Sequence, residues 1–376
     1  MLYNALCMTK TGQTMEKSDS VKQYDTVGRP DLKSMSIEEL KGLLTDMGEK
    51  SFRASQLFKW MHSELESDID HMTDLPKSLR EKLKETCTYT VIKQVREQVS
   101  KIDGTRKYLW ELDDGNRIES VRMGYRHGSS VCISSQAGCA MGCAFCASAI
   151  GGLDRSLTPA EMLEQVYCIS AIDGERVKDL VVMGSGEPFA NTDNLIKFLR
   201  LINDEKGLGM SLRNVTVSTC GIVPEMYRFA QEGLPVTLAV SLHAPDDTIR
   251  KKLMPVASKY PYDTLMKACK DYFEKTGRRI TFEYALINGV NDSPECADML
   301  AKKIKNLNCH VNIININPIK ERLFTKTGEK QAEVFRKKLE KNLINVTIRR
   351  ALGQDIGGAC GQLRRRFPYN ESSSDH

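Results

Sequence analysis

Cys139, Cys143 and Cys146 stand together in the stretch Cys-Ala-Met-Gly-Cys-Ala-Phe-Cys, and no fourth cysteine follows before Cys168. Three thiols at C-x3-C-x2-C spacing on one loop read as a metal or iron–sulfur ligand set. A structural zinc ion is normally held by four protein ligands. Three thiolates suit a [4Fe–4S] cluster with one iron left open, where a cofactor can bind and be reduced. Two further cysteines stand out. Cys132 lies shortly upstream, and Cys360 lies in Asp355-Ile-Gly-Gly-Ala-Cys360-Gly-Gln-Leu363. Most free cysteines are small buried hydrophobes, but the glycines around Cys360 are poor core formers. The other seven of the twelve cysteines, Cys220 among them, have no such setting and read as structural.

The pattern around these residues alternates between strand and helix. Candidate strands are 131–135, 179–183, 215–219, 236–242, 280–286 and 311–317. The clearest helix between them opens at Thr158-Pro159-Ala-Glu161, with a cap, a proline at the first helical position and a box glutamate. Six such units predict a parallel sheet with right-handed crossovers. Curled, it makes a partial (βα)6 TIM-like barrel; a doubly wound open sheet is the competing topology. Reactive groups in βα folds gather at the carboxyl ends of strands. Gly184-Ser-Gly186-Glu187-Pro188, Ser218, Ser241-Leu242-His243 and Asn317 all fall there. Glycines let backbone amides approach a ligand, and Glu187 can accept from an amino group. A lone histidine such as His243 is more often structural.

Upstream, Ser36-Ile-Glu-Glu39 is a capping box and the apolar spacing predicts three helices over about 31–90. The second of them carries Ala54 to Leu65, and Phe52, Phe58 and Trp60 are expected in the core of this small helical module. Alternating segments 91–99, 107–112 and 117–123 form an antiparallel extension (91–128), with Asp113-Asp-Gly115-Asn as a hairpin turn. Glu119 lies in its last strand, where a solvent-exposed carboxylate is the ordinary outcome. Residues 1–30 read as a mobile tail, 129–352 as the core, and 353–376 as a flexible segment carrying Cys360.

The 376 residues carry a net charge of +5, and 41% are hydrophobic. This is the composition of a globular protein. Scattered cysteines without a signal peptide fit a reducing cytoplasm better than a disulfide scaffold. No apolar run approaches a membrane span. The mild basicity permits an RNA partner without demonstrating one.

The cysteine triple, with Phe145 before its last member, resembles the radical S-adenosylmethionine (SAM) superfamily. Cys132-Ile-Ser-Ser-Gln-Ala-Gly-Cys139, Gly186-Glu-Pro188, Val217-Ser-Thr219, Ser241-Leu-His-Ala-Pro245, Leu253-Met-Pro255, Gly289-Val-Asn-Asp292 and Ala359-Cys-Gly-Gln-Leu363 narrow the likeness to the RlmN/Cfr family. These are methyltransferases acting on adenine carbons of 23S ribosomal RNA, and the likeness runs over about 31–367. Ala137 and Pro188 are similar to the branch that methylates adenine C2, in ribosomal RNA and beside the anticodon of some tRNAs. The other branch methylates C8. Ser185 and Ala149 depart from residues common in the family, a methionine and a glycine.

The resemblance implies a [4Fe–4S] cluster on Cys139, Cys143 and Cys146, and two SAM molecules per turnover. Gly186, Glu187, Ser218, Ser241, Leu242, His243 and Asn317 would contact SAM. Cys360 would be methylated by one SAM, and a radical derived from the second would take a hydrogen from that methyl. The carbon would add to adenine C2, Glu119 would remove the C2 proton, and Cys132 would attack the Cys360 sulfur to release the RNA. The implied partners are 23S rRNA, tRNA, an electron donor such as flavodoxin or ferredoxin, and a thiol reductant. A monomer is expected. Arg349-Arg350 and Arg364-Arg365-Arg366 are candidates for phosphate contacts. The cysteine triple alone leaves two other readings open: a different radical-SAM enzyme such as a glycyl-radical activase, and a non-catalytic iron–sulfur or zinc RNA-binding protein.

Overall fold

Residues 28–126, 128–319 and 321–363 are described by a computed structural model. The expected tail up to residue 27 and the Arg364-Arg365-Arg366 cluster lie outside the described residues. Three amphipathic helices come first: α1 (Ile37–Asp46), α2 (Arg53–His62) and α3 (Lys77–Thr86). The capping box at α1 forms as its sequence predicts. Glu39 N donates to Ser36 Oγ at 3.3 Å and Ser36 N donates to Glu39 Oε2 at 2.7 Å. Leu40, Leu44, Leu57, Phe58, Met61, Leu79 and Leu83 are buried, and each contributes about 2 kcal/mol relative to exposure. Two expectations fail here. Leu65 lies beyond the end of α2 with φ 57°. Phe52 is 52% exposed, with the Arg53 guanidinium over its ring at 4.8 Å. Standing just ahead of α2, Phe52 is off the face that packs inward.

Next come three antiparallel strands, β1 (Lys93–Val99), β2 (Arg106–Glu111) and β3 (Arg117–Tyr125), followed by β4 (Gly128–Ile133). A short hairpin, β5 (Gln136–Gly138) and β6 (Leu153–Ser156), brackets the cysteine triple; the sequence pattern did not reveal it. Then follow α4 (Pro159–Asp173), β7 (Asp179–Val182), α5 (Thr192–Asn203), β8 (Val215–Thr219), α6 (Val223–Gln231) and β9 (Thr237–Ser241). The chain continues with α7 (Asp247–Leu253), α8 (Tyr262–Thr276), β10 (Ile280–Leu286), α9 (Pro294–Ile304), β11 (Cys309–Asn315), α10 (Glu329–Lys341) and β12 (Val346–Arg349).

Among the described residues one sheet runs β1-β2-β3-β4-β7-β8-β9-β10-β11-β12. From β4 to β12 every neighbouring pair is parallel. The order never reverses, as a doubly wound sheet requires. The winding is single, as in the barrel alternative. β12 adds a parallel strand that was not anticipated, and the antiparallel extension is continuous with the same sheet.

Helix α4 is buried almost all round because it is covered on both sides. On its outer side the helical module docks through polar contacts that include Lys33 Nζ to Glu164 Oε1 at 2.7 Å, His62 Nδ1 to Tyr167 Oη at 2.8 Å, and Ala160 N donating to Ser34 Oγ at 3.1 Å. On its inner side Gln165 bridges strands: its Oε1 accepts from Ser120 Oγ and Ser134 N, both at 2.8 Å. Ser134 Oγ in turn donates to the Glu119 carbonyl at 2.7 Å. Buried polar groups so satisfied fix strand register firmly.

Candidate active site

The three cysteines sit between β5 and β6, and the loop is closed by Cys139 N donating to Gly152 O at 3.0 Å. Cys139 is buried; Cys143 and Cys146 are half-buried. All three line an open cleft at the carboxyl ends of the parallel strands. Among the described residues, no three Cys, His, Asp or Glu side chains are drawn into a metal-holding cage. Burial pushes the Cys139 thiol up to about 11; burial, with repulsion from Cys146 and Cys139, raises Cys143, and burial raises Cys146 against hydrogen bonds from Ser148. A donor set of this kind is protonated alone and becomes a set of thiolates once a cationic iron cluster is present. The residues therefore fit the cluster.

Opposite the thiols lies the turn after β7. Gly186 has φ 107°, and a Cβ there would sit 2.6 Å from Gln136 Cβ, so only glycine fits. The Glu187 carboxylate is held by two backbone donors: Phe189 N at 2.9 Å to Oε1 and Cys220 N at 2.7 Å to Oε2. Burial raises its pKa and these donors oppose that rise. Each oxygen keeps a lone pair able to accept from an amino group.

Ser218, Ser241, His243 and Asn317 line the same cleft. His243 has φ 55°, and its Nδ1 accepts from Ala285 N at 2.9 Å. Its Nε2 therefore carries the proton of the neutral ring, and burial lowers its pKa to about 3. The Phe145 ring meets it edge-on at 4.9 Å. Leu242 is placed differently from its neighbours. Its side chain is fully buried in the core and its N donates to Glu283 O at 3.0 Å, so no side-chain contact to a ligand is available.

Cys360 is half-buried and lines the cleft too. Its loop is pinned to the cysteine loop: Ala147 N donates to Gly361 O at 2.7 Å, and Ser148 Oγ donates to Leu363 O at 2.9 Å. Cys360 also lines a second hollow with Cys132, Met183, Asn317 and Arg349. Cys132 is buried, and burial pushes its thiol up to about 12. Glu119 is fully buried, not an exposed strand carboxylate. The register pairs Leu109 with Glu119 and Val121 with Cys132. Directly paired and alternate residues share a face, so Glu119 and Cys132 face the same side of the sheet.

Several residues here were missed in the sequence. Cys220 and Glu283 line the cleft. Arg250 is fully buried, and its Nη2 donates to the carbonyls of Cys220 at 2.7 Å and Ser241 at 3.3 Å, bracing the ends of β8 and β9. Its helix, α7, carried too short a pattern to detect. Arg349, expected on the RNA-facing surface, is turned inward; pairing with Ile314 puts it on the cleft-facing side of the sheet. Arg350 is the exposed member of that pair.

The Radical SAM superfamily matches residues 133–300, which defines the class of this fold and site. The Ribosomal RNA large subunit methyltransferase N-terminal domain family matches residues 30–88. A crystal structure of a radical SAM methyltransferase from Sphaerobacter thermophilus superposes with a TM-score of 0.86 at 42% identity, covering 89% of this chain and 99% of that one. A relative from Lachnospira eligens, named a probable dual-specificity RNA methyltransferase RlmN, is 56% identical over 92% of this chain and 99% of its own length. One of the same name from Lachnoclostridium phytofermentans is 52% identical over 90% and 95%. The chain belongs to the RlmN family of radical SAM methyltransferases. Its cofactors are a [4Fe–4S] cluster and SAM.

Proposed function

We propose that the protein methylates C2 of an adenosine in the peptidyl-transferase region of 23S rRNA, and of the adenosine beside the anticodon of some tRNAs. The observation that carries this reading is the position of Cys360, in the wall shared by the cleft and the hollow holding Cys132. A cysteine placed this way can take a methyl group from one side and be relieved of its cargo from the other. The names of the relatives and the match of the helical module support RNA as the acceptor.

Adenine C2 is electron-poor and does not attack a methyl sulfonium, so a carbon radical is the chemically suitable partner. Cys139, Cys143 and Cys146 would hold the cluster, which when bound supplies the electron that cleaves SAM. Glu187 would anchor the amino group of SAM, with Gly186, Ser218, Ser241, His243 and Asn317 around it. Cys360 would carry the methyl-derived carbon to C2, Glu119 would accept the C2 proton, and Cys132 would close a disulfide with Cys360. A flavodoxin or ferredoxin would feed the cluster, and a dithiol would reset the disulfide in a reducing compartment. Arg350 and the arginines beyond Leu363 would meet phosphates. A target base must leave its stack to enter such a cleft. Among the described residues, no helix is long and apolar enough to cross a membrane.

The test is mass spectrometry of rRNA and tRNA from cells lacking the gene, complemented by wild type or Cys360→Ala. Return of 2-methyladenosine with wild type alone supports the reading. Return of 8-methyladenosine moves the chain to the other branch of the family.

A further inference from the structure

We propose that Glu283 is a binding residue for SAM, accepting from the adjacent hydroxyls of its ribose beside Ser241. The inference rests on the reading above that the cleft is the SAM site, and it adds a second carboxylate to that site. Glu283 stands in β10, lines the cleft and is 3% exposed. Its Oε1 accepts from Asn312 Nδ2 at 3.1 Å, and the Asn312 amide is oriented in turn because its Oδ1 accepts from Thr347 Oγ1 at 2.8 Å. Oε2 is buried and has no hydrogen-bond partner among the described residues. The backbone is set as firmly: the Glu283 carbonyl accepts from Leu242 N at 3.0 Å and from His243 N at 3.3 Å.

A buried acceptor left unanswered carries its full desolvation penalty, and a cleft wall that holds one is suited to a donor that arrives with a ligand. The register pairs Glu283 with Ser241. Paired residues of neighbouring strands share a face, with the strands about 4.8 Å apart, so a carboxylate and a hydroxyl stand side by side in the cleft wall. That arrangement matches two adjacent hydroxyls, one donating to the carboxylate and the other exchanging a hydrogen bond with Ser241 Oγ. Burial raises the pKa of Glu283, while Arg349 and the Asn312 bond oppose the rise. A hydroxyl both donates and accepts, so it answers the group in either protonation state; the amino group of adenine only donates. Two residues further along the same face, Ala285 pairs with Ile314, and both line the cleft with Ile316. This apolar stretch suits a purine face and leaves the polar pair for the sugar. In the same reading Glu187 answers the amino group of SAM, so the two carboxylates serve different donors.

The experiment measures binding by calorimetry in full-length protein carrying the reconstituted cluster. Wild type, Glu283→Gln, Glu283→Leu and Glu187→Ala are each titrated with S-adenosylhomocysteine and with its 2′-deoxy and 3′-deoxy ribose analogues, all of which keep the amino group. Glu283→Leu is expected to weaken S-adenosylhomocysteine about tenfold, while Glu283→Gln, which keeps an acceptor of the same shape, retains most of the affinity. At least one deoxy analogue is expected to bind wild type about tenfold more weakly and to lose no further affinity in Glu283→Leu. An equal loss for all three ligands in Glu283→Leu would give the residue a structural role only and overturn the proposal. So would wild-type affinity in that variant. Glu187→Ala separates the two readings. Unchanged binding there would move the ligand out of the cleft and take the proposal with it; a loss there with none in Glu283→Leu removes Glu283 alone.

Discussion

Lys107 Nζ lies 3.1 Å from Glu119 Oε1 and, with the same ammonium, donates to the Gly357 carbonyl at 3.3 Å. One cation thus joins the proposed base to the loop that carries Cys360. Both side chains are buried, so removing the cation leaves a buried carboxylate without that partner. Breaking such a pair costs about 3 kcal/mol. Lys107→Met is expected to lower unfolding free energy by that order in urea titration. Adding Glu119→Gln to Lys107→Met should recover part of the loss. Full additivity of the two single changes would show that the pair is not coupled.

Glu187 is oriented by two backbone N–H groups before any ligand arrives. Glu187→Ala removes the acceptor and leaves those donors unanswered. In reconstituted protein, SAM affinity measured by calorimetry is expected to fall at least tenfold, which corresponds to about 1.4 kcal/mol. Unchanged affinity would place the amino group of SAM elsewhere.

Gly186→Ala probes the same turn by shape. The added methyl would meet Gln136 at both Cβ and backbone N, at 2.6 and 2.8 Å. The Gln136 side chain also accepts from Glu187 N at 2.8 Å, so the clash displaces the carboxylate as well. We expect a loss of SAM binding as large as that of Glu187→Ala, with a fall in melting temperature.

His62 makes the docking of the helical module sensitive to acid. It is fully buried, and desolvation, helped by Lys33, lowers its pKa from 6.5 to about 3. The unfolded chain takes a proton on this ring below pH 6.5 while the folded chain does not. Stability is therefore full above pH 6.5 and falls as pH drops toward 3, by about 1.4 kcal/mol per pH unit. His62→Phe keeps the ring packing against Phe58 and removes the titration. Its unfolding free energy should fall less steeply between pH 6 and 4 than that of wild type; identical slopes would assign the acid sensitivity to other groups.

The strand–helix rhythm was legible because each unit carries its own local pattern: a run of β-branched residues, a turn, then a capped helix such as Thr158-Pro159-Ala-Glu161. The residues at the strand ends followed from that rhythm, and their gathering into one cleft needed only the parallel order. Arg349 and Leu242 were not legible, because each differs in burial from the residue beside it in a way that no local pattern announces. The alternation of a strand turns Arg349 inward while Arg350 is exposed, and sends Leu242 to the core between Ser241 and His243. The β5–β6 hairpin escaped because three- and four-residue strands carry too little pattern. Glu119 was read as exposed since nothing local announces the Lys107 that makes its burial tolerable.

The carboxyl-terminal segment and the cysteine loop are fastened to each other by the bonds from Ala147 to Gly361 and from Ser148 to Leu363. Ala147 is the residue after Cys146. A pull on the chain at Leu363 is thus delivered to Cys146, a proposed cluster ligand, within one or two peptide links. Anyone fusing a tag or partner to that end is attaching a lever to the cluster.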